Sequence, residues 1–273
     1  MIELLAADWN HWPDGLSPDE IVATAAGSGV DGLELGVYDT QFELAPSRME
    51  KWQTLGERLG VPVRMLLYSM PSERWPNGGL GSETGRQRLI EQTEELVRIA
   101  AALGLTTVGL WPGADLADAD HHTIARTVGE LSTVAAREGI RLALEPKPGT
   151  ALGEPDDVIA LSEAAPRPDC IGVLLDTGHE FAAGRDPAEL ARQIGKRLFH
   201  IHLGDSDGDP DADLPPGRLH PLDPFFDALE AEGYAGMMTL DAYGAVAAGI
   251  VSGAEALNET VRLVSTYKAV RRG

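Results

Sequence analysis

Four side chains that can bind a metal follow four consecutive apolar segments in the second half of the sequence. The segments end at Glu145, Asp176, His202 and Asp241. A single carboxylate after an apolar run is typical of a helix cap or a turn, but four such endings in succession indicate a shared task. Three carboxylates and one imidazole suit Mn²⁺, Mg²⁺ or Co²⁺ better than a thiolate-preferring metal. We therefore predict that these four residues bind one divalent ion, with Mn²⁺ as the expected metal.

Two further residues near these segments could act on a substrate. Lys147 lies between two prolines just beyond Glu145, and the prolines restrict its backbone. We predict that it polarises a carbonyl oxygen, with a lysine that simply extends to solvent as the alternative. His179 lies three residues after Asp176. It is predicted to act in catalysis and to bind the substrate, while orienting Asp176 or joining a second metal site stays open.

Three residues in the first half are candidates for substrate binding. His11 follows the first apolar segment, Glu34 lies in the second, and Trp111 ends the fourth. Aromatic side chains with a few polar groups are typical of small-molecule sites. Core packing is the alternative for the aromatic residues. His200, two residues before His202, is predicted to be a buried histidine with a satisfied hydrogen bond.

Short β-rich segments alternate with longer helical segments eight times along the chain. The predicted strands are Ile2–Ala7, Gly32–Val37, Pro62–Tyr68, Thr106–Trp111, Arg141–Glu145, Ile171–Asp176, Leu198–Leu203 and Met237–Asp241. The predicted helices are Ser17–Gly27, Ser47–Leu59, Thr84–Leu103, His121–Glu138, Pro155–Glu163, Pro187–Ile194, Pro224–Glu230 and Ala254–Val270.

This pattern predicts an α/β fold, a (β/α)8 barrel that forms a single domain over residues 1–273. A doubly wound open sheet is the rival architecture. The barrel is favoured because it gathers functional groups from the C-terminal ends of many strands around one centre, which is where the four candidate ligands lie.

The composition limits the partners and the compartment. The chain has 43 acidic and 22 basic residues, a net charge of −21, which repels phosphate backbones and makes nucleic acid an unexpected partner. No long apolar run predicts a membrane helix, and no basic leader precedes an apolar one. The only cysteine is Cys170, so neither an internal disulfide nor a multi-thiolate zinc site is expected. We predict a cytoplasmic protein without a membrane partner.

Two loops invite a functional interpretation. The acidic segment Asp205–Asp213 fails as an EF-hand because prolines stand at the sixth and twelfth positions, where that motif needs glycine and glutamate. A second catalytic metal held by Asp205 or Asp207 with His179 is one alternative, and a solvated loop is the other. The Gly- and Pro-rich segment Pro71–Gly85 is long for a connection between a strand and a helix. It is predicted either to cover the barrel mouth as a lid or to be a surface loop.

Three segments also carry a family resemblance. They are Glu145-Pro146-Lys147-Pro148, the run from Gly172 to Glu180 that ends Asp-Thr-Gly-His-Glu, and Lys196–His202. They resemble strands five, six and seven of the xylose isomerase-like (β/α)8 barrels, which include xylose isomerases, ketose 3-epimerases, hydroxypyruvate isomerases and the endonuclease IV branch. The likeness at strand two, Gly32–Gly36, is looser. The resemblance implies that Glu145 binds metal, that Asp176 and the histidine three residues later, His179, do so too, and that Lys147 polarises a substrate carbonyl.

The sequence departs from both main prototypes of that family. Ketose 3-epimerases have His on strand seven and Glu on strand eight, whereas xylose isomerases have Asp on both. This chain has His202 with Asp241, and an aspartate is one methylene shorter than the glutamate that moves a proton in the epimerases. The long C-terminal extension of xylose isomerases is absent, which leaves their mode of oligomerisation unsupported here. Another form of homo-oligomer stays open.

The resemblance and the ligand set lead to one expectation about function. We expect a metal-dependent isomerase or epimerase of a small polyhydroxylated aldehyde or ketone, acting through a metal-stabilised enediolate or a hydride shift. Glu145 and Asp241 would assist proton transfer. A metal-dependent lyase, dehydratase or C-glycoside-cleaving enzyme of the same fold is the alternative. An endonuclease IV-like repair enzyme and a non-catalytic ligand-binding barrel are the remaining readings.

Overall fold

Eight parallel strands close into a barrel in which each strand pairs with the next and β8 pairs with β1. The strands are β1 (Glu3–Ala7), β2 (Gly32–Val37), β3 (Val63–Ser69), β4 (Thr107–Trp111), β5 (Arg141–Leu144), β6 (Ile171–Asp176), β7 (Leu198–Leu203) and β8 (Met237–Leu240). The structure is a computed structural model that describes residues 2–38, 40–71, 74–75, 79–112, 121–150 and 152–272. The predicted (β/α)8 barrel is confirmed.

Helices follow the strands and surround the barrel. Within the described ranges the helices are α1 (Pro18–Ser28), α2 (Thr40–Glu43), α3 (Pro46–Leu59), α4 (Glu83–Ala102), α5 (His121–Glu138), α6 (Pro155–Ala164), α7 (Thr177–Ala182), α8 (Pro187–Ile194), α9 (Asp223–Ala231), α10 (Tyr243–Ala247) and α11 (Gly253–Arg272). The predicted start of α1 is confirmed, because Ser17 and Glu20 form a reciprocal capping box. The predicted end of α3 is confirmed as well, since Gly60 has the left-handed conformation.

The sequence pattern located every strand within one residue at each end, and every long helix within two. It missed the short helices α2, α7 and α10 and the 3-10 turn Trp9–His11. All four follow a strand at the C-terminal side of the barrel. They are too short to show a helical repeat of apolar residues, and they surround the ends of the strands that carry the candidate ligands.

Two apolar clusters hold the barrel together. The larger one fills the layer between the strands and the surrounding helices. The smaller one contains Ala7, Trp9, Leu67, Ala143, Leu174 and Phe199. Because all of its members except Trp9 come from five strands around the ring, this smaller cluster lies inside the barrel. The inside of the barrel is therefore packed with side chains, as in other eight-stranded parallel barrels.

The segment predicted as a lid is described only in part. Residues 72–73 and 76–78 lie outside the described residues, so the lid stays a prediction. Trp75 is buried, with its ring edge against Tyr68. Among the described residues, no helix combines the length and the apolar composition that a membrane crossing requires.

The close approach of β6 and β7 yields a stability prediction. A Cβ atom at Gly172 would lie 2.5 Å from the Phe199 ring and 2.6 Å from the Arg197 carbonyl oxygen. Gly172→Ala should therefore destabilise the fold by about 1–3 kcal/mol through overpacking. Gly27→Ala is the matched control, because nothing lies within 4 Å of a Cβ there and alanine favours a helix. Urea unfolding measures both, and an unchanged midpoint for Gly172→Ala would contradict this packing.

Candidate metal centre

The structure brings the four predicted ligands together at the C-terminal ends of β5 to β8. The Nδ1 atom of His202 lies 3.7 Å from Glu145 Oε1, 3.9 Å from Asp176 Oδ2 and 3.7 Å from Asp241 Oδ2. This nitrogen is buried and has no hydrogen-bond partner. A ring nitrogen is thus surrounded by three carboxylates, none of which approaches closely enough for a hydrogen bond.

The spacing of these atoms fits a shared cation. Two ligand atoms that each lie about 2.1 Å from one ion in tetrahedral geometry are separated by roughly 3.4 Å, slightly less than the distances around His202 Nδ1. The atoms of Asp176, His202 and Asp241 lie within 4.8 Å of one another. Buried carboxylates without a compensating charge are costly, and oxygen donors with one imidazole suit a hard divalent ion. The residues present therefore fit a divalent metal.

Asp176 and Asp241 each accept hydrogen bonds from the described residues through only one of their two carboxylate oxygens. Asp176 caps α7, because its Oδ1 accepts a hydrogen bond from His179 N at 3.0 Å. Asp241 Oδ1 accepts from Trp9 Nε1 at 3.1 Å and from Tyr243 N at 3.3 Å. In both residues the second oxygen faces His202. The capping role of such aspartates and a role as ligand are therefore compatible.

His179 lies in the first turn of α7 and joins the same group. Its Nδ1 atom is 3.5 Å from Glu145 Oε1 and has no hydrogen-bond partner. Ligand atoms of Glu145, Asp176 and His179 lie within 4.8 Å of one another. A second ion at this position would have to share Glu145 and Asp176 with the first.

A cavity of about 460 Å³ opens beside these residues, a volume typical of small-molecule sites. Its lining includes the polar residues Glu145, Lys147, His179 and Asp241 and the aromatic residue Trp111. The amine of Lys147 is 5.6 Å from the centre of the Trp111 ring. The predicted residues Lys147, His179 and Trp111 thus face one space with two of the candidate ligands.

Two predicted substrate-binding residues lie outside this cavity. Glu34 is completely buried, and its carboxylate contacts His200, His202 and Thr239. His11 is only 1% exposed and packs against the start of α11. Neither residue lines the cavity, and their contact with a substrate stays a prediction.

The acidic loop contributes different residues from those predicted. Asp205 is buried, and its carboxylate accepts hydrogen bonds from Leu219 N, His220 N and His220 Nδ1. Asp207 is exposed, and neither residue lines the cavity. The alternative of a second metal on Asp205 or Asp207 with His179 therefore does not agree with the structure.

Asp211 and Asp213 instead reach the cavity, and the sequence analysis did not single them out. Asp211 accepts a hydrogen bond from Lys147 Nζ. Asp213 has a φ of +39°, rare for a residue other than glycine, and its Oδ2 accepts from Gly244 N at 3.0 Å. The loop passes so close to Gly244 that a Cβ there would lie 2.1 Å from the Asp211 carbonyl oxygen. The high frequency of aspartates after β7 is the sequence feature that could have indicated these two residues.

Comparison with known proteins identifies the family. A family model described as xylose isomerase-like TIM barrel matches residues 22–263. The chain belongs to the xylose isomerase-like TIM barrel family.

Solved structures share this family fold along the whole chain. A D-psicose 3-epimerase with D-tagatose from Clostridium cellulolyticum H10 has a TM-score of 0.77 and 15% identity, covering 98% of this chain and 99% of that one. An L-ribulose 3-epimerase has a TM-score of 0.78 and 16% identity, with coverages of 100% and 96%. An IolI protein with a binding zinc atom has a TM-score of 0.76 and 18% identity, with coverages of 97% and 98%. At these identities the likeness shows the fold.

A sequence relative supports no finer conclusion. An uncharacterized protein of Mycobacterium leprae (strain TN) is 32% identical over 95 residues. The match spans 34% of this chain and 34% of that protein, so it covers about a third of the relative's length.

The crowding of acids in this family member changes the affinity of the centre for protons. Burial raises the pKa of Asp241 well above its ordinary value, and the charges of Asp213, Asp176 and Glu145 add to it against the opposing charge of His202. Burial and the charge of Asp176 raise the pKa of Asp213 to about 6. Burial alone would lower the pKa of His202, but the charges of Glu34 and Glu145 raise it well above its ordinary value. These pKa directions indicate that, without a cation, the centre binds protons more readily than the same side chains would in water.

This proton binding predicts how metal affinity depends on pH. The raised pKa values mean that a divalent ion must displace protons, so affinity should rise with pH by roughly tenfold per pH unit for each proton released. Calorimetric Mn²⁺ titrations at about pH 6 and about pH 8, each in two buffers of different ionisation enthalpy, measure affinity and proton release together. Equal affinities and no proton release would contradict the electrostatics described above.

Proposed function

We propose that this chain is a divalent-metal-dependent sugar isomerase or epimerase that acts on a small polyhydroxylated aldehyde or ketone. The observation that carries the proposal is His202 Nδ1, which faces three carboxylates beside a cavity lined by both polar and aromatic residues. Neighbours of the same fold that are named as 3-epimerases of D-psicose and L-ribulose support this substrate class. The neighbour with a bound zinc atom supports metal binding.

The ion would be held by Glu145, Asp176, His202 and Asp241, and we propose one Mn²⁺ per chain. A divalent ion there supplies Lewis-acid chemistry for adjacent carbonyl and hydroxyl oxygens of a sugar. The indole ring of Trp111, which lines the cavity, suits the C–H face of the same sugar.

We assign the proton transfer to the polar residues that line the cavity. Glu145 is almost fully buried beside His179, and we propose that it removes the proton next to the substrate carbonyl. Burial alone would lower the pKa of Lys147, but Asp211 and the nearby acids raise it. Lys147 therefore stays an ammonium group that can donate a hydrogen bond to a substrate oxygen. His179 is proposed to bind a substrate hydroxyl.

Asp241 bears on which reaction this site performs. One of its oxygens accepts from Trp9 Nε1 and Tyr243 N, and the other faces His202. Epimerisation through a planar intermediate requires proton transfer on two faces of the substrate, whereas aldose–ketose isomerisation and β-elimination can use one base. The engaged carboxylate of Asp241 thus favours the two one-base reactions over epimerisation, and elimination by a metal-dependent lyase is the second candidate function.

One assay tests the proposed function and separates these reactions. Unphosphorylated aldoses and ketoses are incubated with the Mn²⁺-loaded protein in D₂O and followed by NMR. Deuterium at the carbon beside the carbonyl of an isomerised or epimerised sugar is expected, because a carboxylate exchanges its proton with solvent. Loss of water with formation of an enone would identify a lyase. Product formation without deuterium would indicate a hydride shift, and no turnover of any sugar would contradict the proposal.

The role of Glu145 gives a second prediction. Glu145→Gln keeps the shape of the side chain but removes both the charge and the base, so kcat should fall by about 10²–10⁴-fold. Glu138→Gln, on the exposed end of α5, is the matched control and should leave kcat unchanged. Activity of Glu145→Gln within a few fold of the unmodified protein would contradict this assignment.

A further inference from the structure

A second group of polar side chains lies inside the barrel, adjacent to the metal centre but outside the cavity. Glu34 of β2, His200 of β7 and Thr239 of β8 are each 0% exposed, as is His202. The proposed function makes no use of the first three. Burying a carboxylate and two imidazoles among apolar strands is costly unless their hydrogen bonds are satisfied. The positions of the protons on the two imidazoles and the hydroxyl therefore decide whether this group is stable.

The hydrogen bonds of Glu34 fix the location of those protons. Its Oε2 atom is 2.9 Å from His200 Nε2 and accepts from the Thr239 hydroxyl. Its Oε1 atom is 3.4 Å from His202 Nε2. An ionised carboxylate can only accept hydrogen bonds, so each group within hydrogen-bond distance of Glu34 must turn a donor toward it. The proton of a neutral His202 ring must therefore lie on Nε2.

A proton on Nε2 leaves the lone pair of a neutral ring on Nδ1. That atom is the one that faces Glu145, Asp176 and Asp241 without a hydrogen-bond partner. With the opposite tautomer, an N–H group would point at the proposed ion and Nε2 would oppose the Glu34 carboxylate. Glu34 thus favours the ring form that can bind a cation at the position where the other three ligands meet.

We propose that Glu34 is a positioning residue that fixes the tautomer and the ring orientation of His202 for metal binding. This inference rests on the proposed role of His202 as a ligand. Thr239 and His200 hold the Glu34 carboxylate in place from its other oxygen. Carboxylates that accept the second N–H of a metal-binding histidine contribute about 10–100-fold to metal affinity.

The variant Glu34→Gln tests this role with little change of volume. A glutamine offers one acceptor oxygen, but His200, Thr239 and His202 present three donors to the two oxygens of Glu34. Either the His202 side or the opposite side must then meet an NH₂ group. We expect Mn²⁺ affinity to fall by about 10–100-fold, measured by calorimetry on folded protein, with circular dichroism as the check on folding. Thr260→Val, which alters a buried hydroxyl bonded only within α11, is the control and should keep the affinity.

A second readout requires no metal and no activity. Long-range ¹H–¹⁵N NMR of the histidine rings reports which nitrogen carries the proton, and a His202→Asn variant assigns the signals. In the unmodified, metal-free protein, at a pH high enough to leave the His202 ring neutral, the remaining proton should lie on Nε2, and in Glu34→Gln part or all of the neutral ring should shift to Nδ1–H. Nδ1–H as the sole neutral form in the unmodified protein, or unchanged signals and unchanged Mn²⁺ affinity in Glu34→Gln, would overturn the inference. If the unmodified protein binds no Mn²⁺, the proposed function fails, and the tautomer still decides the role of Glu34.

Discussion

The arrangement around His202 Nδ1 is the constraint on which the rest of the site depends. Three carboxylates converge on one unpartnered ring nitrogen at 3.7–3.9 Å, in a place with little access to water. Such a group is electrostatically unfavourable by itself. The raised pKa values of Asp241 and His202 are the consequence. A divalent cation at the same position would turn mutual repulsion among the acids into attraction to a common charge.

The barrel supplies this geometry with residues that also serve the fold. Parallel strands end at one rim, so β5 to β8 deliver four neighbouring side chains. Asp176 caps α7 with one oxygen, and the Trp9 indole fixes one oxygen of Asp241. On the opposite side of the imidazole, Glu34 contacts the second ring nitrogen of His202. Each candidate ligand other than Glu145 thus has a partner that limits its rotation and points one atom toward the common centre.

The sequence was sufficient for the architecture and for the four candidate ligands, because both follow from local patterns. The strands are short apolar runs, and the ligands are the polar residues at their C-terminal ends. The surroundings of Glu34 could not be read in the same way. Glu34 alternates with Leu33 and Leu35 of the outer apolar layer, but its partners His200, His202 and Thr239 lie on β7 and β8, far from it along the chain.

Contacts between distant parts of the chain were also beyond prediction. The hydrogen bond from Trp9 to Asp241 joins residues 232 positions apart. Asp211 and Asp213 reach the cavity for two reasons. Asp205 hydrogen-bonds His220 and so anchors the start of the loop, and Gly244 has no side chain to block the loop backbone. No local pattern distinguishes these two aspartates from their exposed neighbours. The sequence therefore indicated an acidic loop, and the fold selected which of its members face the site.

The central claim is that one divalent ion joins the ends of four consecutive strands. The most direct measurement is anomalous diffraction at the manganese absorption edge from crystals of the Mn²⁺-loaded protein. The account predicts one strong peak per chain, bonded to His202 Nδ1 and to carboxylate oxygens of Glu145, Asp176 and Asp241. A peak held by other residues, coordination through His202 Nε2, or no peak in fully loaded crystals would contradict it.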